Sequence, residues 1–189
     1  MEQIIAHRGA RFVNEDEVLA VPVPESTDTY RAVSHEQFLS TVLDACDRGR
    51  IKVGEAKYCL SANNKRLFGI WHVEDIDGQD FNGDGKMMIG LRNSYDRSIA
   101  MGICAGRQVF VCDNLALSGE FVEFRKHTIG LTDNDIRIMA ENAVVKLVKK
   151  ITEFSLWLQA LGAFKLHDER HLKSIMLDAV MEDVLPAPK

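Results

Sequence analysis

The sequence predicts an α+β fold: an antiparallel sheet of about five or six strands, with one helix before it and two after it, the longest packed on the sheet. Three observations lead there. Between Ile51 and Phe124, apolar runs of strand length are separated by short polar words rich in Gly, Asn, Asp and Ser. Ser34 and Thr132 each open a stretch whose apolar residues recur at helical spacing. Those helical stretches flank the strands instead of alternating with them, which favours antiparallel pairing with helices over one face.

Residues 1–33 read as irregular or edge-like. Pro22 and Pro24 bar the run Val18–Val23 from a central strand, Glu15-Asp16-Glu17 reads as a solvated turn, and 25–29 as a loop. The first helix begins at Ser34, where Ser34-His35-Glu36-Gln37 has the form of a capping box with Gln37 reaching back. Phe38, Leu39, Val42, Leu43 and Cys46 then share a face, and Gly49 is the expected stop. Ile51–Leu60 and Arg66–Val73 are predicted to pair as a hairpin around Ser61-Ala62-Asn63-Asn64. Lys86–Leu91 is a third strand. Ser98–Cys104 and Arg107–Cys112 are read as a fourth and fifth, joined by a two-residue turn at Ala105-Gly106, with a short sixth at Phe121–Phe124. Thr132 caps the longest helix, with carboxylates Asp133 and Asp135 at the positive end of its dipole. Its stripe runs from Ile136 through Met139, Ala143, Leu147, Ile151, Phe154 and Leu158 to Leu161, ended by Gly162. A last amphipathic helix is expected over 168–184. The division expected is a β-rich domain over 1–130 and a helical segment over 131–189.

Composition narrows the class. With 189 residues the chain can bury a real core, and 46% hydrophobic with 27% charged residues is ordinary for a globular protein. A net charge of -5 argues against an indiscriminate nucleic-acid binder while leaving room for a local basic patch. No uninterrupted membrane-spanning run occurs, and the opening residues do not form a signal peptide. Cys46, Cys59, Cys104 and Cys112 have neither CxxC spacing nor a disulfide-framework layout, so they read as reduced thiols of a cytoplasmic protein.

The string from Ile89 to Gly119, IGLRNSYDRSIAMGICAGRQVFVCDNLALSG, with Phe121 and Lys126-His127 after it, resembles a family of unknown function carried by phages and plasmids. Ile5-Ala6-His7-Arg8-Gly9-Ala10, Thr27-Asp28-Thr29 and Arg66-Leu67-Phe68-Gly69 resemble one branch of it, so the likeness covers roughly residues 4–185. The resemblance implies a mobile-element origin and a bacterial host cell, and it transfers no catalytic residue.

Several constellations offer candidate chemistry. Asp80-x-Asn82-x-Asp84-Gly85 fits the first half of a calcium loop, but Leu91 stands where the bidentate glutamate belongs, and a hydrophilic hairpin loop accounts for it. Cys112, Asp113 and His127 can be drawn as nucleophile, orienting acid and base. Against that, Cys112 closes an apolar strand, and no oxyanion nest is evident. His167 and His171 have i, i+4 spacing, but HDERH is not a zinc motif, and a solvated helix start explains it. No metal and no cofactor is expected, and neither GxGxxG nor GxxxxGK[ST] occurs.

The preferred ligand site is the polar word Arg92, Asn93, Ser94, Tyr95, Asp96, Arg97 and Ser98, with Arg107 and the pair Asp113 and Asn114 brought near it by neighbouring strands. Two arginines, an amide and hydroxyls can grip a phosphate or carboxylate, although turn chemistry also explains them. A weaker nucleic-acid signal comes from Arg125, Lys126, Lys146, Lys149 and Lys150, with Tyr58, Trp71 and Tyr95 as stacking surfaces. The function expected is therefore that of an accessory protein acting by binding, with single-stranded DNA or a host protein as partner, no membrane, and a homo-oligomer formed through the 136–161 helix. Two alternatives stand beside it. The order of elements loosely matches ring-forming single-strand annealing proteins, a likeness of architecture alone. The other is a small enzyme using the Arg92–Ser98 and Cys112–Asn114 words on an anionic ligand.

Overall fold

The computed structural model describes residues 3–5, 10–76, 79–80, 87–107, 110–112, 117–119, 121–163 and 174. The partial calcium loop beyond Asp80, Asp113, Asn114, and the 168–184 helix apart from residue 174 lie outside them. Two compact units divide the chain, 1–150 and 151–189.

The fold is α+β and centres on six antiparallel strands. In chain order they are β2 (Arg11–Val13), β3 (Ile51–Ser61), β4 (Arg66–Ile76), β6 (Met87–Ser94), β7 (Met101–Gly106) and β10 (Phe121–Arg125). They lie side by side as β10-β7-β6-β4-β3-β2, with the two-residue β5 (Gln79–Asp80) attached to β4. The predicted hairpin of β3 and β4 forms, with Leu60 opposite Leu67 and Tyr58 opposite Gly69. Its turn drives Ala62, Asn63 and Asn64 all to positive φ, a conformation that suits the two asparagines and strains the alanine.

Ala105 and Gly106 do not turn the chain, contrary to the expectation from their sequence. They continue β7, with Ala105 opposite Ile89 and Gly106 opposite Met88. Ala105 is 1% exposed, so its small side chain serves packing, while Gly106 takes a glycine conformation at φ 157° as the strand ends. Strand β8 (Phe110–Cys112) leaves the main sheet altogether and joins a three-stranded one, parallel to β1 (Gln3–Ile5) and antiparallel to β9 (Leu117–Ser118).

The N-terminal stretch is more ordered than its prolines suggest. Glu15-Asp16-Glu17 is not a turn but the start of a one-turn helix, α1 (Glu15–Leu19), held by a capping box between Asn14 and Glu17. Helix α2 (His35–Arg48) starts as predicted, with Ser34 Oγ accepting from Gln37 N at 2.8 Å. The Gln37 side chain does not reach back; its Nε2 donates to Asp133 Oδ1 at 2.6 Å, tying α2 to the start of α3 (Asp133–Ala163). At the other end Gly49 is the C-cap with φ -80°, and the left-handed residue is Arg50 at 56°. Gly49 is needed for close approach instead: a Cβ there would lie 2.4 Å from Val144 Cγ1.

Helices α2 and α3 cover one face of the sheet, where Val42, Ala140, Ala143 and Leu147 meet Ile89, Ile103 and Ala105. The stripe predicted for α3 is buried at Ile136, Met139, Ala143 and Leu147. Across the sheet, Cys59, Phe68, Ile70, Met88 and Cys104 form a second cluster with Ile99 and, at its edge, Leu117 and Val122. Strands β6 and β7 are buried along their whole length, because both faces are covered. Among the described residues no helix is long and apolar enough to cross a membrane.

Candidate functional site

Four of the residues preferred from sequence are spent inside the fold. Arg92 sits on β6, 9% exposed, with Nε donating to the Ala100 carbonyl at 3.1 Å and the guanidinium carbon 4.6 Å from the centre of the Phe124 ring. Asn93 is fully buried. Its Nδ2 donates to the Val33 carbonyl and lies 3.0 Å from His35 Nδ1, while its Oδ1 accepts from Ser94 N. An amide NH2 can only donate, so His35 Nδ1 is the acceptor and the neutral ring carries its proton on Nε2. Ser94 Oγ donates to the Ile99 carbonyl at 3.0 Å, and the Ser94 carbonyl accepts from Tyr30 OH at 3.3 Å. Asp96 accepts from Arg66 Nε at 2.6 Å and from Ser98 N at 3.0 Å. Ser98 Oγ also bonds to Asp96.

The first half of the word, from Arg92 to Ser94, is thus a buried hub. Tyr95 completes it: its N–H donates to the Lys65 carbonyl at 2.7 Å, its hydroxyl accepts from His35 N at 2.8 Å, and its ring stacks on His35 at 4.0 Å. Burial drives the His35 pKa down to about 3, against a raising contribution from the Asn64 backbone and with a smaller lowering one from His127. The hub locks together the α2 start, the β3–β4 turn and the segment 96–100.

The remaining part of that word faces outward into a cleft of about 320 Å³. Arg97 lies on one side, Lys126 contributes to the lining, and Tyr30, Ile99, Ala100 and His127 form much of the wall. Thr29, Ser98 and Thr128 complete it, so among the described residues the lining holds two cations and several hydroxyls but no carboxylate and no thiol. Three distant segments build it. The ends of β6 and β10 lie at the same edge, because β6 and β10 each run antiparallel to β7 between them. The chain at 27–30 is pinned beside them by bridges from Tyr30 to Thr27 and Thr128 and by Ile129 N donating to the Thr29 carbonyl.

Arg97 stands in an unusual posture. Its φ is 64°, left-handed for a residue with a side chain, and its guanidinium carbon lies 4.7 Å from the centre of the Tyr30 ring. Nη2 reaches Thr27 Oγ1 at 3.4 Å. Tyr30 itself is 3% exposed; burial raises its pKa, and the neighbouring Arg97 charge opposes that rise. His127 is 8% exposed, its ring 5.6 Å from that of Tyr30, and neither ring nitrogen finds a partner with hydrogen-bond geometry. Burial holds its pKa below the usual value, opposed by the nearby Arg31 backbone.

The other residues read from sequence are placed as follows. Arg107 is exposed just beyond β7, and Arg125 Nη1 donates to its neighbour's carbonyl at 3.1 Å. Lys146 pairs with Glu123, and Lys149 and Lys150 are exposed on α3 and also engaged. Tyr58, Trp71 and Tyr95 are not stacking surfaces: each is at most 7% exposed, and Trp71 Nε1 donates to Tyr58 OH at 2.9 Å within the core. The buried thiols of Cys46 and Cys104 are pushed up to about 12, far from the thiolate a nucleophile needs. Among the described residues no cluster of three or more His, Cys, Asp or Glu is placed to hold a metal ion. Sequence reading missed Thr29, Tyr30 and Ile99 as cleft residues; the one signal available was Thr27-Asp28-Thr29, quoted for resemblance and not for chemistry.

Comparison of the chain with family profiles, with curated proteins and with solved structures finds no match.

Proposed function

We propose that this chain is an accessory protein of a phage or plasmid that works by binding, and that it holds a phosphate of a nucleic acid in the Arg97–Lys126 cleft. The observation that carries this reading is the lining of that cleft: two cations and hydroxyl groups converge, with no carboxylate among the described lining residues. Among the described residues neither Arg97 nor Lys126 forms an ion pair, in contrast to Arg66 and Lys146. Charge-assisted bonds from such groups are the ordinary means of holding phosphate. Catalysis has less support. His127 is sealed in the wall, Asp96 is held by Arg66 and Ser98, and among the described residues no thiol borders the cleft.

Binding of a labelled oligonucleotide at two salt concentrations tests the proposal. Affinity should fall steeply with salt, and Lys126→Ala should weaken it roughly 10-fold while lowering the salt slope by about one. Lys149→Ala, on the α3 surface, should leave both nearly unchanged. Absence of salt-sensitive binding would sink the reading.

The same reading takes the protein as a homo-oligomer. Ile138 and Val145 support it, 37% and 66% exposed one heptad apart on α3, within the 1–150 unit. Light scattering should give a multiple of the 21.2 kDa chain mass; a monomer at micromolar concentration would remove this part.

A further inference from the structure

We infer that the cleft takes one unpaired nucleotide, its base stacked on the exposed face of the Arg97 guanidinium and its phosphate held by Lys126 with the Thr29 and Thr128 hydroxyls. This rests on the reading of the cleft as a phosphate site and adds the class of ligand: single-stranded nucleic acid.

The posture of Arg97 is the starting observation. Arg97 shares its left-handed backbone with Arg50 at a helix end and Ala62 in a hairpin turn, so what sets it apart is the ring beneath its guanidinium. Strained residues of this kind gather at ligand sites, where the surroundings hold them. Here the holding is visible. Tyr30 supports the guanidinium from below at 4.7 Å, Thr27 Oγ1 meets Nη2, and Tyr30 is itself anchored through its hydroxyl to the Ser94 carbonyl. A charge required only to attract phosphate could sit on a mobile lysine; a guanidinium laid over a buried ring is a preorganised platform.

Arg97 is exposed, so one side of that platform stays open above the ring. Arginine planes and aromatic rings are the surfaces on which unpaired bases stack. A duplex keeps its bases paired and stacked internally and presents none to a platform. The cleft's volume, about 320 Å³, is at the small end for ligand pockets and suits one nucleotide unit. Ile99 and Ala100 supply an apolar wall for sugar and base, and Lys126 with the two threonines lies in the same lining for the phosphate. Ser98 is left out of that role because its hydroxyl is already bonded to Asp96.

The test compares a labelled oligothymidylate, an abasic strand of equal length and a duplex, all at moderate salt, on the full chain. The two single strands carry the same phosphates and differ only in their bases. Wild type should favour the base-bearing strand over the abasic one by about 5- to 150-fold, the range for one stacked base, and over the duplex as well. Arg97→Lys keeps the charge and removes the plane. It should erase the preference for bases while leaving abasic affinity within about 3-fold, and its thermal unfolding should match wild type. Equal affinity of wild type for thymidylate and abasic strands would overturn the stacking inference and leave the phosphate site standing. Binding to neither strand would overturn both.

Discussion

Lowering the pH from 7 to 4.5 should destabilise this protein by about 2–3 kcal/mol through one buried histidine. The cause is His35, whose pKa is about 3 in the fold against an ordinary value of 6.5. The sign follows from which state takes up the proton. Between those two values the unfolded chain binds a proton that the folded chain refuses. Stability is therefore level above about pH 6.5 and declines by about 1.4 kcal/mol per pH unit below it, until the folded ring titrates. Over that whole window the loss is on the order of 4–5 kcal/mol, a large share of the ~5–15 kcal/mol that holds a domain together. His127, also held below its usual value by burial, adds a loss of the same sign. Urea unfolding at pH 7 and pH 4.5 checks this, and His35→Gln should remove the larger part of the difference. Equal midpoints in wild type would mean that the ring is protonated in the fold.

Replacing Asn93 by Leu should cost about 3–5 kcal/mol. The side chain is similar in size, so the loss comes from hydrogen bonding, not from a cavity. Leucine would strand the Val33 carbonyl, His35 Nδ1 and Ser94 N–H, three buried groups that Asn93 now satisfies. Each unsatisfied group costs roughly 1–3 kcal/mol. The effect would extend to the cleft, because the next residues along fix the segment that carries Arg97. Denaturant titration reads the first effect and oligonucleotide affinity the second. A cost under about 1 kcal/mol would mean that the hub is dispensable and that the loop is held by Arg66 and Asp96 alone.

The same residues explain why the fold was largely legible in the sequence and the cleft only in pieces. Local rules carry the helix starts: Ser34 bonds Gln37 N, and Thr132 and Asp135 cap each other with Thr132 N to Asp135 Oδ2 at 2.8 Å. Apolar runs on either side of a polar turn word carry β3 and β4, whose hairpin pairs Leu60 with Leu67. Ala105-Gly106 misleads because small residues mark turns but also fill buried strand positions, as Ala105 does opposite Ile89, and only the facing element decides which. The parallel pairing of β1 with β8, three residues each and more than a hundred apart, leaves no local pattern at all.

At the site, the polar word 92–98 was legible as a word but not in its direction. Asn93 pairs opposite Leu67 and Arg92 opposite Phe68, so burial on both faces turns the first half inward. Arg97 and Ser98 escape because the chain has left β6. Their meeting with Lys126 and His127 depends on the β6–β7–β10 register, and their meeting with Tyr30 on its bridge to Thr128 and the bonds from Ile129 N to the Thr29 carbonyl and from Tyr30 OH to the Ser94 carbonyl. Neither is written in spacing along the chain.

If Arg97 and Lys126 mark the place where nucleic acid binds, as proposed, a bound strand should lie against the segments that carry them. The most direct measurement is photocrosslinking of a single-stranded oligonucleotide carrying 4-thiothymidine, with the attached peptides mapped by mass spectrometry. Crosslinks should concentrate in the segments 27–30, 97–100 and 126–128 and disappear with excess unlabelled strand. Crosslinks confined to the lysine face of α3, or spread evenly over the surface, would contradict it.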